Sequence, residues 1–191
     1  MSHAFARIAF TPGVQAAQSR YGSRQADLGT DHPQAAPSVL SAREAQFIAE
    51  RDSFYQATVS ETGWPYVQHR GGPQGFLKVL DEHTIGYADF SGNAQYVSVG
   101  NLSSDDRISL ILVDYVHRRR LKLMGHARIV HENEHPALLA QLEVPTYRAR
   151  VERGVLIHIE ALAWNCPQHI TPRWTQACEP LPSTPARKTV P

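Results

Sequence analysis

The sequence predicts a mostly β protein: an antiparallel β-barrel or sandwich with a few flanking helices. From Ser53 onward, short apolar and β-branched segments recur at roughly ten-residue spacing. Their connections are short turns such as Glu61-Thr-Gly63, which favour hairpins over a parallel sheet. No Gly-x-Gly-x-x-Gly follows a strand, so a dinucleotide-binding Rossmann domain is not expected.

The N-terminal part is predicted from its caps and breakers. Residues 1–40 are interpreted as an extended arm with one short helix over residues 14–20 and a Pro- and Ala-rich loop over residues 31–37. The capping box Ser41-Ala-Arg-Glu44 predicts a helix that runs to about Arg51 and buries Phe47 and Ile48.

The remaining elements follow from alternation and turn signals. Strands are predicted over residues 54–60, 64–69, 76–80, 84–88, 107–113, 119–130 and 151–164. Helices are predicted over residues 91–100 and 134–143. We therefore divide the chain into an arm (1–40), a barrel domain (41–179) and a disordered tail rich in Pro, Ser and Thr (180–191).

Composition excludes several classes of function. The net charge of +1 gives no overall attraction to nucleic acid, and no apolar run is long enough to cross a bilayer. With no signal peptide recognised, we expect a cytoplasmic protein in which Cys166 and Cys178 stay reduced. The histidines are scattered and form no His-Glu-x-x-His, so no metal site is predicted.

The first candidate site is the segment His69-Arg-Gly-Gly-Pro-Gln-Gly-Phe-Leu-Lys78. A strand ends in His69 and Arg70, glycines let backbone approach a ligand, and Lys78 follows on the next strand. Arginine offers a planar fork for phosphate and lysine a point charge. An ordinary hairpin loop with solvated charges explains the segment equally well.

The second candidate is Tyr87-Ala-Asp-Phe-Ser-Gly-Asn-Ala-Gln95, where a strand is predicted to give way to a helix. Asp89, Ser91 and Asn93 supply polar groups at that point. A helix N-terminus favours anions through its free N–H groups. Simple helix capping is the alternative interpretation.

Two further candidates lie later in the chain. In Arg118-Arg-Arg-Leu-Lys122, strand alternation is expected to place Arg118, Arg120 and Lys122 on one face. This basic face could be a ligand site, the solvated side of a hairpin or a nucleic-acid-binding patch. After the last strand, Trp164-Asn-Cys-Pro-Gln-His169 offers the amides of Asn165 and Gln168 for the edge of a ring ligand, or is a strand-ending turn with a buried Trp.

Taken together, these segments resemble a known family. Residues 53–78 and 84–96, the segment Asn165-Cys-Pro-Gln-His-Ile170 and the arm motif Ser19-Arg-Tyr-Gly-Ser-Arg24 resemble the FMN-binding proteins related to pyridoxamine 5'-phosphate oxidase. The resemblance covers most of the chain except the tail. It implies an FMN-binding split β-barrel and a homodimer with FMN at the subunit interface.

The resemblance also implies roles for individual residues. Lys78 matches a lysine that contacts FMN in the family, and Arg70 would replace an arginine whose position is Pro73 here. A phosphate-binding Ser-Arg-Lys cluster corresponds to Gly92-Asn-Ala94, and a family glutamine that touches FMN corresponds to Arg120. The C-terminal Trp-Arg-x-x-Arg pattern of the oxidases has only Arg173-Trp174 as a distant counterpart.

Three functions follow as hypotheses. The leading one is an FMN-dependent oxidoreductase that uses a small-molecule substrate or NAD(P)H, with cofactor contacts from the residues singled out above. These predicted cofactor contacts are His69, Arg70, Lys78, Asp89, Ser91, Asn93, Arg120, Lys122, Asn165 and Gln168. The alternatives are a non-catalytic flavin- or haem-binding module for storage, sensing or docking, and a nucleic-acid-binding barrel.

Overall fold

The computed structural model describes residues 3–24 and 36–173. Within these ranges the chain forms seven strands and five helices. The strands are β1 (Ser53–Val59), β2 (Pro65–Gly71), β3 (Leu77–Val79), β4 (Thr84–Phe90), β5 (Arg107–Asp114), β6 (Arg119–Val130) and β7 (Val151–Asn165). The helices are α1 (His3–Ala9), α2 (Pro12–Arg20), α3 (Ala42–Ala49), α4 (Val97–Ser104) and α5 (Pro136–Leu142).

All seven strands belong to one antiparallel sheet with the order β2-β1-β5-β6-β7-β4-β3. The long strands β6 and β7 pair along nearly their whole length, and β7 also pairs with β4. Register shifts at Met124/Gly125 and at Asp89/Phe90 bend these strands, as β-bulges do. The sheet curls into a half-barrel, which confirms the predicted fold class.

The core fills the inner face of the curled sheet. Along β5, buried and half-buried residues alternate, so that Ile108, Leu110 and Leu112 point inward. The ring of Phe54 stacks on Phe76 at 5.6 Å and meets Tyr87 edge-on at 5.3 Å. Such packed aromatic pairs stabilise the closed side of the half-barrel.

The opposite side of β2, β1, β5 and β6 is called the outer face here. Its side chains are Val67 and His69 of β2, Tyr55 and Ala57 of β1, Ser109, Ile111 and Val113 of β5, and Arg120, Lys122 and Met124 of β6. Helix α1 covers one end of this face, because Phe5 packs on Ala161 and Ala163 of β7. The rest of the face is partly exposed, with Val67 at 64% and Tyr55 at 39% exposure.

The predicted capping box is present at α3. The side chain of Ser41 accepts a hydrogen bond from the backbone N–H of Arg43, and Glu44 accepts one from the backbone N–H of Ser41 at 3.1 Å. Phe47 and Ile48 are buried, as predicted. The capping box therefore starts the helix that closes one side of the core.

Two predictions about helices are wrong. The arm is not simply extended around one helix, since α1 precedes α2; a seven-residue helix is held by packing on β7 rather than by its own propensity. The helix predicted over residues 91–100 begins only at Val97, because Ala94 and Tyr96 have φ of 57° and 52°, which a right-handed helix cannot include.

Some predictions fall outside the described residues: most of the loop over residues 31–37, the tail from residue 180, Trp174 and Cys178. Among the residues that the structure does describe, no helix is long and apolar enough to cross a membrane.

Candidate functional site

A cavity of about 310 Å3 lies between β2, β4 and the loop of residues 91–96. We call it the β2–β4 cavity. Four of the residues predicted as cofactor contacts line it, namely His69, Arg70, Asp89 and Asn93. Aromatic rings form much of its wall, contributed by Tyr66, Phe76, Tyr87, Phe90 and Tyr96.

Arg70 and Asp89 form the charged centre of this cavity. The Nη1 of Arg70 lies 2.6 Å from Oδ1 of Asp89, and the two side chains are only 17% and 6% exposed. The guanidinium of Arg153 approaches the other oxygen of Asp89 at 3.8 Å. Burial raises the pKa of Asp89, while Arg70 and Arg153 oppose that shift.

The ion pair with Asp89 does not use all the hydrogen-bond donors of Arg70. Its Nε atom is buried and has no hydrogen-bond partner among the described residues. A buried donor without a partner costs free energy unless a ligand or water satisfies it. Arg70 therefore offers a donor to a ligand, although Asp89 balances much of its charge.

Beneath Arg70 lies a polar contact inside the barrel. The hydroxyl of Tyr87 donates to Oε1 of Gln56 at 2.7 Å, and the guanidinium carbon of Arg70 lies 5.8 Å from the Tyr87 ring. Burial raises the pKa of Tyr87, so its phenol remains protonated at neutral pH. Nε2 of the fully buried Gln56 has no partner among the described residues.

The mouth of the cavity is bounded by Tyr96. Its hydroxyl donates to Glu152 of β7 at 3.4 Å, and the guanidinium of Arg153 lies 4.7 Å from its ring centre. Inside, Ser98 of α4 donates to Gln68 of β2 at 2.8 Å. These contacts attach the 91–96 loop to β7 and α4 to β2.

The predicted site residues do not include Gln68, Tyr96, Glu152 and Arg153. Arg153 reaches the site because it pairs with Asp89 across β4 and β7, which are distant in the chain. No local motif marks such a pairing. Only the alternation of β2 could have identified Gln68, since it shares a face with Arg70.

The other residues predicted near the first two segments do not line this cavity. Lys78 lies on the short edge strand β3 and pairs with Gly86. Strand alternation places its side chain on the face opposite to that of the buried Leu77. Ser91 is exposed, and its backbone N–H donates to the carbonyl of Arg150 at 2.8 Å. Because α4 begins at Val97, neither Ser91 nor Asn93 stands at a helix N-terminus, which corrects that part of the prediction.

The residues predicted from the later segments form a separate group. Arg120 and Lys122 lie on the outer face, and Arg120 pairs with Asn165 at the end of β7. Gln168 is exposed in the following turn. Arg118 has φ of 53° and lies in the β5–β6 turn, outside the strand. The prediction that it shares a strand face with Arg120 and Lys122 is therefore wrong.

No metal centre is evident in the described part of the chain. Within residues 3–24 and 36–173, no group of three or more His, Cys, Asp or Glu side chains is placed to hold a metal ion. Cys166 is a free, exposed thiol.

The fold agrees with a sequence family. A family model described as pyridoxamine 5'-phosphate oxidase matches residues 40–164, which include α3 and almost the whole sheet. The chain belongs to the pyridoxamine 5'-phosphate oxidase family, which confirms the resemblance inferred from the sequence.

Solved structures show similar folds at low sequence identity. A Lactobacillus delbrueckii protein assigned to the pyridoxamine 5'-phosphate oxidases is 20% identical with a TM-score of 0.50, covering 65% of this chain and 93% of its own. An FMN-binding protein from Syntrophomonas wolfei is 14% identical with a TM-score of 0.49, covering 64% and 84%. A HupZ variant from Group A Streptococcus is 18% identical with a TM-score of 0.48, covering 65% and 98%. No curated protein matches the sequence.

Proposed function

We propose that this protein is an FMN-dependent oxidoreductase that works as a homodimer, with FMN bound at the subunit interface. Family membership supports the cofactor class. The observation that carries the proposal is the largely buried Arg70 guanidinium, which lines an aromatic-walled cavity and whose Nε donor has no partner within residues 3–24 and 36–173. An anionic, planar ligand with polar edges is the chemistry that such a cavity fits.

The residues of the β2–β4 cavity fit the ring of FMN. Tyr66, Phe76 and Phe90 supply apolar surface for the faces of a flat ring. The amides of Gln68, Asn93 and Gln95 supply donors and acceptors for its polar edges.

The phosphate of FMN needs more positive charge than this cavity contains. Arg70 is paired with Asp89, and Glu152 also lines the cavity. Among the predicted cofactor contacts, the further cations are Lys78, Arg120 and Lys122, of which Arg120 and Lys122 lie on the outer face. A second copy of the chain that packs on the outer face would bring such cations to an interface, which is why we propose a dimeric site.

Bound FMN supplies hydride and electron transfer, and the protein supplies binding and orientation. Asp89 holds the guanidinium of Arg70 at the cavity wall. The neutral phenol of Tyr87 supports Arg70 from below without adding charge. The loop carrying Tyr96 borders the same cavity.

The first experiment measures cofactor content and redox activity. We expect the purified chain to show a flavin absorption spectrum and to release FMN on denaturation. Anaerobic mixing with NADH or NADPH is expected to bleach the flavin. A colourless protein that takes up no added FMN would overturn the proposal, and bound FMN that neither nucleotide reduces would favour a non-catalytic flavin-binding module.

A pair of variants tests Arg70 directly. We expect Arg70→Gln to weaken FMN binding by about tenfold or more, since a charge-assisted hydrogen bond is lost. Asp89→Asn is expected to act in the opposite direction, tightening FMN binding by about threefold, because it frees the charge of Arg70. Arg128→Gln, an exposed position on β6, is the matched control for loss of one positive charge.

The readout is the FMN dissociation constant from flavin fluorescence quenching, with the melting temperature of each variant recorded beside it. If Arg70→Gln keeps the affinity of the unmodified chain, or if both variants weaken binding equally, Arg70 does not contact FMN as proposed. The double substitution of Arg70 and Lys78 by Ala is expected to release FMN and leave the barrel folded.

A further inference from the structure

Two histidines that are far apart in the sequence, His83 and His158, meet at the surface of the sheet. His83 ends the β3–β4 turn, and His158 lies in β7, where it pairs with Thr84, the residue that follows His83. Their ring centres are 5.9 Å apart, and their ring planes make an angle of 37°. The strand pairing of β4 with β7 therefore brings together two histidines that look scattered in the sequence.

The turn that carries His83 is fixed against β7. The backbone carbonyl of His83 accepts a hydrogen bond from the N–H of Ile159 at 2.8 Å. Its own backbone N–H donates to Oδ1 of Asp81 at 2.7 Å. Because these bonds hold the backbone of His83 beside His158, a ligand that bridges the two rings has less conformational freedom to remove.

The two ring nitrogens of His83 have different surroundings. Nε2 lies 3.6 Å from the carboxylate of Glu82. Nδ1 is buried and has no hydrogen-bond partner among the described residues. Metal-binding imidazoles usually have a carboxylate, carbonyl or water at one nitrogen and the metal at the other. A cation at Nδ1 would satisfy the orphaned atom and give His83 that arrangement.

The spacing of the rings suits a bridging cation. A metal ion bonded to two imidazole nitrogens at about 2.1 Å holds the ring centres roughly 5–6 Å apart. The observed 5.9 Å between His83 and His158 lies in this range. His158 is exposed, which leaves room for water ligands, and the carboxylates of Asp81 and Glu82 beside His83 favour a positive ion.

We propose that His83 and His158 bind a divalent first-row transition-metal ion such as Zn2+ or Cu2+, with water completing its coordination. Imidazole nitrogen suits these ions, whereas Mg2+ and Ca2+ prefer oxygen ligands. The site has two protein ligands, in keeping with the absence of a three-residue metal centre within residues 3–24 and 36–173. Neither histidine lines the β2–β4 cavity, so the inference does not depend on the proposed function.

His126 of β6 is the other histidine next to His158. It pairs with His158 across the sheet, but its Nδ1 lies 2.8 Å from Oδ1 of Asp106, which precedes β5. That contact draws the ring of His126 towards β5 and away from β7. We therefore place the ion between His83 and His158.

The test measures Zn2+ binding by isothermal titration to the untagged full chain, freed of metal with a chelator beforehand. We expect one saturable site per chain. His83→Gln and His158→Gln should each weaken Zn2+ binding by about tenfold or more, because each removes one of two protein ligands. His131→Gln, which removes an exposed histidine just after β6, is the matched control and should bind Zn2+ like the unmodified chain.

Thermal unfolding of the same samples gives a second readout. Zn2+ should raise the melting temperature of the unmodified chain and of His131→Gln, and leave that of His83→Gln and His158→Gln unchanged, since an ion that binds only the folded state stabilises it. Melting temperatures without Zn2+ show that each variant is folded. FMN content should be the same in all four proteins.

The inference is overturned if Zn2+ does not bind saturably, or if either His83→Gln or His158→Gln keeps the affinity of the unmodified chain. His126→Gln completes the set and should bind Zn2+ like the unmodified chain. A loss of binding in His126→Gln together with full binding in His83→Gln would place the ion between β6 and β7 and overturn the assignment to His83.

Discussion

Asp114 ends β5 as a buried carboxylate in contact with two arginines and a histidine. Its Oδ2 lies 2.8 Å from Nη2 of Arg119, 2.9 Å from Nδ1 of His117 and 3.7 Å from Nη1 of Arg51, and its side chain is 4% exposed. Burial by itself raises the pKa of Asp114. Hydrogen bonds from His117 and Arg119 and the charge of Arg51 outweigh burial and lower that pKa to about 2.

We expect Asp114→Asn to lower the free energy of unfolding by about 2 kcal/mol at neutral pH, since it weakens the hydrogen bonds from Arg119 and His117 and leaves the largely buried Arg51 without this charged partner. The folded-state pKa lies below the unfolded value, so this stabilisation is complete above about pH 4 and is lost as the pH falls towards 2. The variant should lack that part of the acid dependence in urea denaturation between pH 2 and 7.

Asp106→Asn is the matched control, because Asp106 pairs with His126 at an exposed site where both side chains are about half accessible. Exposed pairs contribute little to stability. If both variants lose the same free energy of unfolding, the cluster around Asp114 stabilises the fold no more than an exposed ion pair does.

At the scale of elements, α3 contacts the end of the sheet at Trp164 of β7. Glu44 completes the capping box with Ser41, and its Oε1 also accepts a hydrogen bond from the indole Nε1 of Trp164 at 2.6 Å. Phe47 of the same helix meets the Trp164 ring at 4.8 Å. Burial raises the pKa of Glu44, but these hydrogen bonds lower it overall, so the carboxylate is charged at neutral pH.

Replacing Glu44 should therefore cost more than replacing the cap itself. We expect Ser41→Ala to lower the free energy of unfolding by about 1 kcal/mol and Glu44→Ala by about 2–3 kcal/mol, because only the latter also removes the acceptor of Trp164. Gln46→Ala, exposed on the same helix, should change stability little. Urea unfolding followed by circular dichroism measures all three, and equal effects of the first two would contradict the link to β7.

The β-bulge between β6 and β7, whose extra residue is Glu160 of β7, depends on Gly125 of β6. A side chain at this position would overlap the carbonyl oxygen of His158 on β7, which cannot move without breaking the β6–β7 pairing. We expect Gly125→Ala to destabilise the fold by about 3 kcal/mol or more, or to prevent folding.

Gly100→Ala in α4 is the opposite case, since nothing lies within 4 Å of the added carbon. It should stabilise the protein by about 0.5–1 kcal/mol through helix propensity. Melting temperatures of the two variants decide this prediction, and a tolerated Gly125→Ala would mean that the bulge does not require glycine.

Local signals predicted most elements and pointed to Arg70 and Asp89, but they did not predict the contact of Asp89 with Arg153. The alternation of β5 and the capping box at Ser41 depend on residues close in sequence, so the sequence pattern predicts them. The contact of Asp89 with Arg153 depends on the pairing of β4 with β7. The left-handed backbone of Ala94 and Tyr96 has no signal in the sequence, because neither residue is a glycine. Tertiary pairing, rather than propensity, decides both features.

At the scale of the whole molecule, the predicted cofactor contacts fall into two groups that one chain keeps apart. Arg70, Asp89 and Asn93 line the β2–β4 cavity, whereas Arg120 and Lys122 lie on the outer face. The proposed dimer accounts for this separation if a second copy contributes the outer face to the site. The exposed Val67 and Tyr55 give that face the apolar surface that an interface needs.

We expect Val67→Asp to weaken the dimer by about a hundredfold or more, since each copy would bury an unpaired carboxylate at the contact. Size-exclusion chromatography with light scattering over a range of concentrations measures the change, and FMN content should fall with the dimer fraction. Val116→Asp is the matched control, because Val116 is exposed in the β5–β6 turn and lies off the outer face. A Val67→Asp protein that stays dimeric would place the interface elsewhere, and one that becomes monomeric with full FMN content would show that each chain binds the cofactor alone.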